Sequence, residues 1–83
     1  MAFKNPRLSQ VNEDEAARLT PAQRAVAACV AEGLTNDQIA ERLMLSNETV
    51  AILMEDILTR LDLKSRASIA FWAVRHGIYS LAS

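Results

Sequence analysis

The feature that most constrains this chain is the close spacing of signals that begin and end helices. Thr20 precedes Pro21 and stands three residues before Gln23, so threonine can cap a helix in whose first turn proline is tolerated. Thr35 and Gln38 repeat the same capping pair further along the chain. In each pair the threonine side chain and the glutamine side chain satisfy backbone N–H groups that a helix start leaves unpaired. The two pairs therefore predict two short helices that follow each other closely.

Two serines and two glycines extend this pattern. Ser46 and Ser65 each precede a run with helical spacing of apolar residues, and Gly33 and Gly77 each follow such a run. Glycine ends helices readily because it adopts the left-handed backbone conformation without steric cost. With few aromatic residues and only two prolines, the chain is predicted to be all-α. The predicted helices lie at about 21–32, 36–43, 47–61 and 66–76.

The composition limits the location and the class of the protein. Residues 1–18 are polar and are predicted to form a flexible tail before a domain of residues 19–83. The N-terminus lacks the apolar segment of a signal peptide, and no apolar run is long enough to span a membrane. A single cysteine cannot form an internal disulfide. We therefore expect one small domain in a reducing cytoplasm.

The arrangement of the second and third helices suggests a class of function. A turn of about three residues joins them, and the third helix is the longer one. This is the layout of a helix-turn-helix, whose second helix enters the major groove of DNA. The net charge of −1 and the pI of about 5.7 argue in the other direction, because proteins that bind nucleic acid usually carry a basic surface.

Two long segments carry a resemblance to a known family. They are LTPAQRAVAACVAEGLTNDQIAERLMLSNETV and ILTRLDLKSRASIAFWAVRHGI. Together they resemble the LuxR/FixJ-type DNA-binding domain of bacterial transcription regulators, over about residues 19–78. The resemblance implies a four-helix fold, a third helix that recognises double-stranded DNA and, often, a homodimer formed through the fourth helix. Asp62 departs from the family, which has glycine after the third helix.

The third helix departs from the family in the residues that would face DNA. Family members typically place lysine or arginine near positions 48 and 51, a small polar residue near 52 and histidine at 53. Here those positions hold Glu48, Ala51, Ile52 and Leu53. At about 100° per residue, the side opposite the apolar stripe presents three carboxylates and no lysine or arginine. That side comprises Glu48, Ile52, Glu55, Asp56 and Thr59.

The first functional hypothesis is a transcription regulator that binds DNA. Lysine and arginine supply most of the non-specific affinity for phosphates, and cations at the flanks of the third helix could compensate for its carboxylates. Glutamate can also accept a hydrogen bond from cytosine, and alanine or isoleucine can contact the methyl group of thymine. The candidate DNA-binding residues are Ser46, Asn47, Thr49, Ala51, Ile52, Arg60, Lys64 and Arg66.

The alternative hypothesis is a protein-interaction module of the same fold that does not bind DNA. Such a module would regulate another regulator through its third helix, whose carboxylates would face a basic protein surface. The candidate interaction residues are Glu48, Ile52, Leu53, Glu55 and Asp56.

The fourth helix is apolar on more sides than one core can cover. Ile69 and Ala73 can serve the core, which leaves Phe71 and Trp72 to share a second, outward face. Aromatic residues are favoured at protein interfaces, so this face predicts a homodimer. The competing interpretation is that Trp72 closes the core. Phe71, Trp72 and Arg75 are the dimer candidates.

The remaining reactive side chains suggest no chemistry. Cys29 lies in the apolar stripe of the first helix and is predicted to be a core residue. His76 is placed to interact with the C-terminal dipole of the fourth helix. One histidine and one cysteine far apart form no metal site, and no pairing of a nucleophile with a base occurs at a useful spacing. We therefore predict neither an enzyme nor a cofactor.

Overall fold

The computed structural model describes residues 18–78, and these residues form four helices and no strand. The predicted all-α fold is confirmed, and each helix starts at the predicted residue. The first and fourth helices end one residue earlier than predicted, because Glu32 and His76 form their C-caps. Residues 1–17, which are all but the last residue of the predicted tail 1–18, lie outside the described part of the chain, as do residues 79–83. The helices are α1 (Pro21–Ala31), α2 (Asn36–Leu43), α3 (Asn47–Leu61) and α4 (Arg66–Arg75).

The two predicted capping boxes are both present. At the start of α1, the Thr20 hydroxyl accepts a hydrogen bond from the Gln23 backbone N–H (3.2 Å), and the Gln23 side-chain oxygen accepts one from the Thr20 N–H (2.9 Å). Gln23 is buried, and this bond satisfies its carbonyl oxygen inside the protein. Thr35 and Gln38 repeat both bonds at the start of α2. The polar residues thus fix where the helices begin.

Left-handed residues end the helices, although only some of them are glycine. Gly33 follows α1 with φ +89°, as its position predicts. Met44 after α2 (φ 60°) and Asp62 after α3 (φ 56°) adopt the same conformation with side chains that disfavour it. Glycine favours this backbone conformation, which agrees with the glycine that the resemblance implies at the position of Asp62.

The core lies where α1 packs against both α3 and α4, while α2 packs against α3. In α3, Val50, Met54 and Ile57 are buried, while Leu58 and Leu61 are half-buried against the core. In α1, Ala22 is exposed and Ala27 is buried. Full burial of one large apolar side chain contributes about 1.5–3 kcal/mol, so this cluster dominates the stability of the domain. Its buried members are Leu19, Val26, Ala27, Cys29, Val30, Ile39, Ala40, Val50, Met54, Ile57, Ile69, Trp72 and Ala73.

The expectation that Phe71 and Trp72 share an outward face is wrong. Trp72 is only 8% exposed and belongs to the core, whereas Phe71 is 66% exposed. Consecutive helical residues point about 100° apart, and the face of α4 that carries Ile69 and Ala73 also contains Trp72. The indole packs beside His76, with their ring centroids 4.6 Å apart. The competing interpretation, in which Trp72 closes the core, is correct.

Candidate nucleic-acid interface

The outward side of α3 is a solvent-exposed stripe, as its periodicity predicts. The buried side of the helix contributes Val50, Met54 and Ile57 to the core. Among the exposed residues, Ile52 has 61% of its surface accessible and is the large apolar side chain of this stripe. The exposed stripe consists of Glu48, Ile52, Glu55, Asp56 and Thr59.

The start of α3 is fixed to α2 by side-chain hydrogen bonds. The Asn47 amide donates a hydrogen bond to a carboxylate oxygen of Asp37 in the first turn of α2 (2.7 Å). The Ser46 hydroxyl accepts a bond from the Thr49 backbone N–H (3.0 Å) and donates one to the Thr49 hydroxyl (2.9 Å). Of the predicted DNA-binding residues, Asn47 thus joins α3 to α2, while Ser46 and Thr49 cap α3 itself. Their neighbours Glu48 and Ala51 point to solvent.

Arg66 connects the start of α4 to the start of α2. Its guanidinium donates to the side-chain oxygen of Asn36 (2.8 Å) and to the backbone carbonyl of Leu34. The side chain is exposed, and a guanidinium has five N–H donors, so these two bonds leave others for a phosphate. Arg66 therefore lies beside the helix-turn-helix, as predicted, and also stabilises the connection between α1 and α2.

Arg18, a cation of the predicted tail, lies at the end of α3. Arg18 donates a hydrogen bond to the Arg60 carbonyl (2.6 Å), and Arg60 donates one to the Arg18 carbonyl (3.0 Å). Arg18, which belongs to the predicted tail, therefore contacts the end of α3. Both guanidinium groups are exposed and concentrate positive charge at this end of the helix. No local pattern predicts a contact between residues 42 positions apart.

Two other cations lie on the surface near these elements. Lys64 is exposed in the connection between α3 and α4. Arg42 in α2 forms an ion pair with Glu32 (3.2 Å), in which both side chains remain partly accessible to water. Exposed pairs of this kind contribute only about 0–1 kcal/mol, so Arg42 can exchange its partner for a phosphate at little cost.

The candidate residues for protein interaction on α3 and for dimerisation on α4 are not all exposed. Leu53 is half-buried and packs against the core, so Ile52 is the apolar side chain that α3 presents to solvent. On α4, the Arg75 guanidinium carbon lies 5.8 Å from the centroid of the exposed Phe71 ring. These two residues border an open groove of about 480 Å³. The groove is lined by Leu63, Ala67, Ser68, Phe71, Trp72, Arg75 and His76.

The described residues contain no group of three or more histidine, cysteine, aspartate or glutamate side chains that could hold a metal ion. Cys29 is 5% exposed, and desolvation by the core raises the pKa of its thiol above the ordinary value. A raised pKa keeps the thiol protonated and unreactive. Within residues 18–78, none of the helices is long and apolar enough to cross a membrane.

Comparison with known proteins identifies similar sequences. A family profile described as bacterial regulatory proteins, luxR family, matches residues 17–73. The nitrate/nitrite response regulator protein NarL of Escherichia coli is 34% identical over 67 residues, which cover 81% of this chain and 31% of NarL. The DNA-binding transcriptional activator DevR/DosR of Mycobacterium tuberculosis is 34% identical over 61 residues, 74% of this chain and 28% of that protein.

A further relative is the two-component response regulator PprB of Pseudomonas aeruginosa. It is 38% identical over 53 residues, which cover 64% of this chain and 19% of PprB. The chain thus spans about a third or less of the length of these relatives.

Proposed function

Because the chain belongs to the luxR family of bacterial regulatory proteins, we propose that it binds double-stranded DNA through α3 and thereby regulates transcription. The observation that carries this proposal is the helix-turn-helix geometry. The bond between Asn47 and Asp37 fixes the start of α3 against α2, while the outer side of α3 stays exposed. A helix presented in this way can enter the major groove with its N-terminal residues against the base edges.

The charges around α3 determine how strongly it would bind. Glu48, Glu55 and Asp56 repel the phosphates of a groove, so affinity has to come from cations at the flanks of the helix. Arg18 and Arg60 supply two guanidinium groups at one end of α3. Lys64, Arg66 and Arg42 add further exposed cations near the helix-turn-helix. We expect weak binding that depends strongly on salt.

The proposal includes a homodimer through α4. Phe71 is the exposed aromatic side chain of this helix, and the groove beside it could receive the same ring from a second copy. Arg75 contributes a guanidinium beside Phe71, whereas the buried Trp72 supports the groove from inside. Aromatic anchors with an adjacent arginine are enriched in protein interfaces. The proposal also places the chain in the cytoplasm, where bacterial DNA is.

The experiment that tests DNA binding is a titration with random-sequence duplex DNA followed by fluorescence anisotropy. At about 50 mM salt, where electrostatic binding is strong, we expect a dissociation constant in the micromolar range. Each phosphate contact contributes about −0.9 to the slope of log K against log salt for duplex DNA. No binding at this salt concentration would rule out the proposed function.

Matched charge variants sharpen this test. Lys64→Ala should weaken binding and reduce the salt slope by about one contact. Arg24→Ala is the control, since it removes the same charge from an exposed position of α1, beside the end of α4. Equal effects of the two variants would show that net charge alone governs binding, without a defined phosphate contact at Lys64.

The acidic stripe of α3 favours a second function, a protein-interaction module that does not bind DNA. In this case Ile52 would be the apolar anchor, and Glu48, Glu55 and Asp56 would face a basic surface of another regulator. A photocrosslinking residue at position 52 should then capture one protein in the bacterium that produces the chain, and the same residue at the exposed Ala22 should not. Binding to DNA with no adduct at position 52 would exclude this alternative.

A further inference from the structure

Three exposed side chains form a row along α3. Glu48, Ile52 and Glu55 are spaced by four and three residues, so they lie on one face of the helix, and all three are exposed. A helix rises about 1.5 Å per residue, which gives the row a length of about 10 Å. Stacked base pairs are about 3.4 Å apart, so the row matches about three base-pair steps.

The polar side chains beside this row are partly used inside the protein. One N–H of the Asn47 amide donates to Asp37, which holds the amide against α2. The Ser46 hydroxyl donates to the Thr49 hydroxyl. Glu48 is exposed in the same turn, and its carboxylate can only accept hydrogen bonds. The first turn therefore offers the base edges an acceptor, and Ile52 offers an apolar surface one turn later.

The groups that each base presents in the major groove decide which bases fit the Glu48 carboxylate and the Ile52 side chain. Cytosine presents only a donor, its N4 amino group, whereas guanine presents two acceptors that would face a carboxylate unfavourably. Adenine presents a donor beside an acceptor, which suits an amide better than a carboxylate. Thymine presents a methyl group, which an exposed isoleucine can contact.

Resting on the proposed DNA binding, we infer that α3 reads two bases of its target, with cytosine facing Glu48 and thymine facing Ile52. Guanine is excluded opposite Glu48, because the carboxylate would lose water without gaining a donor. Glu48 and Ile52 are then specificity-determining residues. The flanking cations supply the affinity, and the acidic row supplies the discrimination.

The test begins with the full 83-residue chain and a library of random duplexes at about 50 mM salt. Duplexes that bind are enriched over several rounds and sequenced. The expected motif contains a cytosine position and a thymine position about two base-pair steps apart, because Glu48 and Ile52 are about 6 Å apart along the helix. With the best duplex in hand, replacing that thymine by deoxyuridine removes a single methyl group. Loss of this contact should weaken binding about four-fold.

Two variants assign the positions to residues. Glu48→Gln should shift the preferred base at the cytosine position towards adenine, which pairs with glutamine, and should reduce the preference for cytosine by about five-fold or more. Glu41→Gln is the matched control, because it removes the same charge from an exposed position of α2. The control should change overall affinity without changing the preferred base.

The outcomes separate this inference from the proposed function. The inference is supported if Glu48→Gln changes the preferred base at the cytosine position and if deoxyuridine at the thymine position weakens binding. A motif that Glu48→Gln and deoxyuridine both leave unchanged overturns the inference, while DNA binding itself stands. Failure to bind any duplex at about 50 mM salt overturns both proposals together.

Discussion

Arg18 and Arg60 each donate a hydrogen bond to the backbone carbonyl of the other, at 2.6 and 3.0 Å. The pair joins Arg18, three residues before α1, to the last turn of α3, and it brings two guanidinium groups to one end of the proposed DNA-binding helix. The backbone carbonyls accept bonds from both cations, so the contact combines a structural role with a concentration of positive charge. Removal of either side chain should therefore affect both stability and DNA binding.

Arg18→Ala should lower the free energy of unfolding by about 1 kcal/mol, because it removes one exposed hydrogen bond and loosens the reciprocal one. Urea denaturation followed by circular dichroism measures the change. Arg24→Ala removes an exposed arginine of α1 whose side chain makes no such bond to a backbone carbonyl of the described residues. Its free energy of unfolding should stay within about 0.5 kcal/mol of that of the parent protein. If the two variants were equally stable, the contact between Arg18 and Arg60 would contribute nothing to the fold.

The bond between Asn47 and Asp37 should be specific for an amide facing a carboxylate. Asn47→Asp places two exposed carboxylates together and should cost about 0.5–1 kcal/mol, because the pair loses its hydrogen bond and gains a repulsion that water screens. The double variant Asp37→Asn with Asn47→Asp exchanges the two groups and should recover most of this loss. Chemical denaturation of the parent, of the single variants Asp37→Asn and Asn47→Asp and of the double variant measures the coupling, and additive effects would contradict the contact.

Met44 offers a site for stabilisation, because its backbone is left-handed and its side chain is 90% exposed. Met44→Gly should raise the free energy of unfolding by about 0.5–1 kcal/mol, the relief of steric strain being partly offset by the greater freedom of glycine in the unfolded chain. Thermal unfolding measures the shift. Met44→Leu keeps the strain and should behave like the parent, and a less stable glycine variant would contradict the strain argument.

Cys29 should be unreactive in the native protein. Its thiol is buried, and desolvation raises its pKa above the ordinary value of about 8.5. A thiol reagent at pH 8 should therefore react slowly with the folded chain and fast in denaturing urea. Fast reaction without denaturant would show that α1 opens readily or that the thiol is not buried.

The same pKa shift predicts a dependence of stability on pH. A thiol whose pKa is raised in the folded state contributes stability that is fully present below its unfolded pKa. This contribution is lost as the pH rises through the folded pKa, because the unfolded chain loses the proton first. The stability of the parent should thus decline above about pH 8.5, and Cys29→Ala should show a smaller decline. Equal alkaline slopes for both proteins would contradict the shift.

Phe71→Asp should dissociate the proposed dimer and leave the monomer folded, since the ring is 66% exposed and lies outside the core. Sedimentation equilibrium should show a lower mass for this variant than for the parent, with an unchanged helical circular dichroism spectrum. Ile52→Asp alters an exposed apolar residue of α3 and is the control that should not affect the mass. A monomeric parent protein would overturn the dimer proposal.

The sequence by itself determined where the helices of the described residues begin, because these starts depend on local bonds. Thr20, Thr35, Ser46 and Ser65 cap the four helices through contacts with residues three positions away, and the helical period is enough to assign the exposed stripe of α3. Likewise, capping residues and apolar spacing in this one sequence are enough to predict its four helices.

Only the tertiary structure decided what the individual side chains do. Trp72 and Phe71 are sequence neighbours of similar hydrophobicity, and the packing of α4 on α1 determines that one is buried and the other exposed. The contact of Arg18 with Arg60 joins residues 42 positions apart, and Asn47 is held by Asp37 across a turn. Such contacts depend on how the helices are placed relative to one another, and short-range spacing does not encode that placement.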